Sequence, residues 1–101
     1  MKLIEIDASQ LNSAVDFYDV ILSELGAPKW HGKNGNALID SLIYGGVNKE
    51  SPPILINVVN TKKADAKVLE EIKKIKESID RHREYYSSIN GKDHGINMNL
   101  L

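Results

Sequence analysis

No cysteine occurs among the 101 residues, which removes disulfide frameworks, thiolate metal sites and cysteine nucleophiles in one step. Aromatic residues are also scarce: one Trp, one Phe and four Tyr. Charge of neither sign is in excess, since 13 Lys and Arg stand against 14 Asp and Glu for a formal net charge of −1. That balance argues against a phosphate backbone as the principal partner. No apolar run approaches the roughly 18 residues a membrane helix needs, so a membrane partner is not expected. Met1-Lys2 leads directly into a short strand pattern rather than a secretory leader. The missing cysteine fits a reducing compartment, and the chain reads as cytoplasmic.

What is present describes one ordinary globular domain. Apolar residues make up 42% and charged residues 27%, enough for a single core without metal or disulfide staples. Leu3-Ile4-Glu5-Ile6 reads as a strand ending near Asp7. From Ser9 to Leu25 the pattern is helical, with Ala14, Phe17, Tyr18, Ile21, Leu22 and Leu25 on one face. Ser13 with Asp16 has the form of a capping box, with Asn12 the alternative cap. Gly26 suits a left-handed helix end. A second, shorter helix is expected to start at Asn34 or Asn36 and to run to about Leu42, burying Ala37, Leu38 and Leu42 and leaving Asn36 and Asp40 together on another side.

Ile54 to Val59 is the best strand. It is apolar on both faces, as a central strand covered by helices would be. Asp65 to Ile89 is one long helix with Val68, Leu69, Ile72, Ile75, Ile79 and Tyr86 as its buried stripe, stopped by Gly91; Ile96 to Leu100 is a last strand. The order β-α-α-β-α-β implies an α/β fold with a small three-stranded parallel sheet flanked by helices.

Catalytic machinery is not legible. His31, His82 and His94 lie far apart and none has a His or Cys at i+3 or i+4, so neither metal nor cofactor is expected. Ser41 and Ser51 have no His nearby in sequence and no nucleophile elbow. A phosphate loop fails because five residues separate Gly26 from Gly32-Lys33 and Asn34 replaces the Ser or Thr. Gly32-Lys33-Asn34-Gly35 is a G-x-x-G between helices, as in KH RNA-binding modules. Against that reading stand the long connection around Pro28, the lack of basic charge, and a longer pattern that a KH loop leaves unexplained.

That longer pattern is Pro28, Trp30-His31, Gly32, Asn34, Asn36-Ala37-Leu38, Asp40, Leu42. Over about eighteen residues, Leu25 to Leu42, it resembles the barstar family of bacterial ribonuclease inhibitors, and the element order fits for most of the chain. The resemblance implies an immunity protein that occludes the active site of a cognate toxin, a ribonuclease, in a 1:1 complex and without enzymatic activity of its own. A non-nuclease toxin and a KH-like RNA-binding module are the alternatives. Carried over position by position, the partner-binding residues are Trp30, His31, Gly32, Asn34, Asn36, Ile39 and Asp40, with Asp40 as the carboxylate facing a cationic pocket.

Departures accompany the match. An acidic position of the family is Asn36 here, an exposed aromatic is Ile39, a loop Leu is Gly35, and Lys29 and Lys33 flank the loop. The long third helix leaves Glu77 and Glu84 as candidates for a late acidic contact. These differences point away from barnase itself as the target.

Overall fold

A computed structural model describes the chain from Met1 to Leu101. Strand β1 (Lys2–Asp7) passes through a 3₁₀ turn at Ala8–Gln10 into helix α1 (Ala14–Leu25). A short helix α2 (Gly35–Ile39) widens without a break into a π-helical stretch, Asp40–Gly45. Strand β2 (Ile54–Val59), helix α3 (Ala66–Asn90) and strand β3 (Ile96–Leu100) complete the expected order.

Helix α1 begins five residues later than the sequence pattern implies. The Asp7 carboxylate accepts both the backbone N–H of Ser9 (3.0 Å) and its hydroxyl (2.6 Å), and this local competitor holds Ala8–Gln10 in the tighter turn. Ser13 is then the cap: its Oγ accepts the Asp16 N–H at 3.3 Å, while Asp16 Oδ2 accepts the N–H of Asn12 at 2.8 Å. At the other end Gly26 is left-handed (φ +66°), and the N–H of Ala27 reaches back to the Leu22 carbonyl at 2.9 Å. This double closure satisfies the last carbonyls of the helix.

All three strands are parallel in the order β1-β2-β3, with Ile4 opposite Ile56 and Ile56 opposite Met98. The central place of β2 agrees with its apolar composition; the expectation that helices cover both its faces does not hold. Ile4, Ile6, Ile54, Ile56, Val58, Ile96 and Met98 are buried on one face. Their alternates Leu3, Glu5, Asn97 and Asn99 are exposed, and Leu55, Asn57 and Val59 are half-buried. Connection handedness explains this. Two right-handed crossovers that both advance in the same direction across the sheet must place their helices on the same side. The core is therefore a single layer between that face and helices α1, α2 and α3.

Helix α3 runs nearly the full length of the molecule: 25 residues rise about 37 Å, against a longest dimension of 39 Å. Asp65 caps it, accepting the N–H groups of Lys67 and Val68. Its fully buried residues, Val68, Ile72, Ile75 and Ile79, end well short of its C-terminus. Beyond them two polar clasps fix the helix to β3. His94, 2% exposed, donates from Nε2 to the Ile79 carbonyl and accepts the Ile96 N–H on Nδ1, both at 3.0 Å. Arg83 reaches both Asp93 oxygens (2.8 and 2.7 Å) and the Ile96 carbonyl (2.6 Å).

Two surface carboxylates set an expected acid limit. Hydrogen bonds from Ser9 and Asn60 hold Asp7 below the usual carboxylate range, and the Gly95 N–H with Arg83 does the same for Asp93. A pKa lowered by folding contributes stability that is fully present above the unfolded value, about 3.9, and is lost as pH falls through the folded value. Thermal midpoints should thus drop as pH falls below about pH 4. Asp93→Asn should make that acid limb shallower. An unchanged limb in this variant would show that Asp93 does not set it.

Candidate functional site

The segment from Gly26 to Gly46 is tied down at both ends. Leu25 and Gly26 carbonyls accept the N–H groups of Glu50 (3.0 Å) and Lys49 (3.3 Å), so the returning chain is stitched to the end of α1. Within the loop the His31 N–H bonds the Pro28 carbonyl at 3.0 Å, forming a tight turn that leaves Trp30 75% exposed. At that exposure Trp30 does not cover the end of α1 as part of the core.

His31 points the other way. Only 8% exposed, it lies 2.8 Å through Nδ1 from the Gly32 carbonyl and 2.6 Å through Nε2 from Ser41 Oγ. A carbonyl can only accept, so the proton sits on Nδ1. Ser41 is also 3.3 Å from the Leu38 carbonyl and receives Asn48 Nδ2 at 3.2 Å. Sequence distance hid this Ser–His pair. It carries no third acidic group, and what it does in the fold is lash the loop to the helical segment that follows.

Asn34 caps α2, its Oδ1 accepting the Ala37 N–H at 2.9 Å. Gly32 and Gly35 are both closely approached: a Cβ at 32 would sit 3.1 Å from Asn34 Nδ2 and 3.2 Å from Ala37 Cβ, and one at 35 would sit 3.2 Å from the Ile75 Cδ1 of α3 and 3.4 Å from the Tyr18 hydroxyl. Gly35 is therefore the first residue of a packed helix, not the end of a free clamp. Beside it Lys33 is engaged by Asp19 at 2.7 Å. The second glycine of the G-x-x-G pattern thus belongs to a packed helix rather than to an open clamp of the KH kind.

The helical segment extends past the expected Leu42. It opens into π geometry from Asp40 and closes at left-handed Gly46 (φ +107°). Leu38, Ile39, Leu42 and Ile43 enter the core. Ile39, only 6% exposed, packs inward and borders the gap between this segment and α3. The spacing of Asn36 and Asp40 holds: both are exposed and together form a ridge.

Depressions flank that ridge. On one side a hollow of about 230 Å³ is walled by Trp30, Gly32 and Val47, with Asp40 and Ser41 along the ridge edge. On the other, a groove of about 490 Å³ separates Asn34 and Asn36 from α3, where Glu77 and Arg81 stand opposite. Glu71 also borders it but accepts the Tyr18 hydroxyl at 2.5 Å; burial and that carboxylate push the Tyr18 phenol well above its ordinary range. Glu84 lies elsewhere, beside Arg83 and Asp93. Asp40 takes part in none of the ion pairs of the fold.

Sequence reasoning overlooked Val47, Tyr44 and Arg81, because nothing in a linear pattern brings a turn and the middle of a distant helix to this ridge. No group of three His, Asp or Glu side chains converges in a way that could hold a metal ion. No helix is long and apolar enough to cross a membrane. Comparison with known proteins gives one strong result: residues 1–100 match the model of a protein family described as Barstar (barnase inhibitor). No curated protein matches the chain.

Proposed function

Because this chain belongs to the barstar family, a family of ribonuclease inhibitors, we propose that it is an immunity protein that binds one cognate toxin, a ribonuclease, and occludes its active site in a 1:1 complex. The observation that carries the reading is Asp40: an exposed carboxylate without an ion-pair partner, raised on a ridge beside an exposed Trp30.

A ribonuclease active site concentrates positive charge where the substrate phosphate binds. A carboxylate presented there on a rigid helix replaces the phosphate, and the surrounding contact excludes water and strengthens the attraction. Trp30 adds a large contact area with little entropy to lose. Asn34 and Asn36 offer amide groups along the groove. With an amide at position 36, the nearest acidic supplement is Glu77, across the groove on α3. His31, Gly32 and Ile39 act from beneath, holding the shape of loop and ridge. Action in the cytoplasm follows from the role: a toxin must be neutralised where it is made.

The test is a pull-down on the immobilised protein followed by an RNA-cleavage assay of the captured partner. Cleavage should fall linearly and vanish at one equivalent, with nanomolar affinity or tighter and roughly 800 Å² buried per partner. Cleavage unaffected by excess protein, or tight binding of single-stranded RNA by the protein alone, overturns the proposal. Neutralisation of a captured toxin that leaves RNA intact would transfer the role to the non-nuclease alternative.

A further inference from the structure

Folding uses one side of the last turns of α3, through Arg83 and Tyr86, and leaves the other without an internal role. The fully buried residues of α3 stop at Ile79, and past that point only Tyr86 packs partly on the core. Yet Tyr85 and Ile89 are carried there, each 60% exposed. They continue a tract that begins at the ridge. Trp30 and Val47 share the hollow edged by Asp40. Tyr44 lies one turn beyond Asp40, with its ring centre 6.4 Å from that of Tyr85, and Ile89 is one further turn along α3. Tyr44, Tyr85 and Ile89 form a run of exposed apolar side chains that starts one turn beyond Asp40, and apolar surface gathered in this way marks an interaction surface.

The middle of the tract is rigid. The Tyr44 hydroxyl is hydrogen-bonded with His82 Nδ1 at 3.0 Å, and its ring packs edge-on against His82 (5.7 Å) and tilted against Tyr86 (5.8 Å). Tyr86 in turn meets the ring of buried His94 at 5.9 Å. A ring fixed in this way loses little freedom on binding, which favours an anchor in an interface core.

We infer that this tract is a second, apolar arm of the partner-binding face, fitted to an uncharged aromatic or aliphatic ridge beside the cationic cleft of the same toxin. The inference rests on the proposed function above. Continuity with Asp40, one turn before Tyr44 on the same helical segment, selects the toxin over a second copy of this chain.

Tyr85→Ala combined with Ile89→Ala tests it, because neither side chain supports the core. The thermal midpoint should stay within about 2 °C of the parent. Affinity for an active-site-inactivated form of the captured ribonuclease should fall at least about tenfold, and this loss should add to that of Asp40→Ala. Parental affinity in the double variant overturns the arm while leaving the Asp40 reading intact. A parent protein that fails to inhibit the ribonuclease removes both. Sedimentation of the free protein should give a monomer; a dimer dissolved by the double substitution would reassign the tract to self-association. Binding of an oligouridylate that the same substitutions abolish would reassign it to RNA.

Discussion

Replacing Asp40 with Ala is expected to weaken toxin binding by at least ~2 kcal/mol, roughly thirtyfold, while leaving the fold as stable as before. The loss follows from the partner's side. Positive groups that the interface has removed from water would be left without a counter-charge, and an unpaired buried charge is far more costly than an unpaired exposed one. Stability should shift by no more than about 0.5 kcal/mol, because Asp40 is exposed and makes no ion pair within the protein. Asp40→Asn separates charge from shape, and most of the loss should persist in it. Titration calorimetry with the inactivated ribonuclease, alongside thermal unfolding of each variant alone, provides both readings. Parental affinity in Asp40→Ala would show that the central contact lies elsewhere on the ridge.

Leu38→Ala should do the reverse. Leu38 is fully buried, and truncating it removes transfer energy and leaves a cavity beneath the ridge, at a cost of ~2–5 kcal/mol. For a domain of this size each kcal/mol corresponds to about 4–8 °C in the thermal midpoint, so a fall on the order of 10–20 °C or more is expected. Urea unfolding should show a lower midpoint at an unchanged slope. Ile39→Ala belongs in the same experiment. It should resemble Leu38→Ala in stability and Asp40 variants in nothing, since Ile39 packs inward. If Ile39→Ala instead lost affinity at full stability, its placement in the core would be wrong.

The order of elements, the parallel pairing, the central strand and most of the inward stripes of α1 and α3 were legible in the chain itself, with Ala14, Leu69 and Tyr86 only half-buried. They depend on local signals that survive without a fold: apolar periodicity, the Asn34 cap, Gly26 and Gly91 at helix ends. The match over Leu25–Leu42 supplied the family and the candidate residues. Tertiary structure decided the rest, for reasons outside any local pattern. Crossover handedness, a property of the whole path, left one sheet face open although Leu55 and Val59 look like core. Asp7 turned back upon Ser9 and delayed α1. The same loop sent Trp30 outward and His31 inward, because the partners that hold His31 include Ser41, ten residues on. Ile39 went to the core because α2 packs down on the core at Leu38 and against Ile75 of α3 at Gly35. Composition identifies which side chains can bind a partner; only the packing of α2 and its π turn against α3 determines that Asp40, rather than its neighbours, is the one presented.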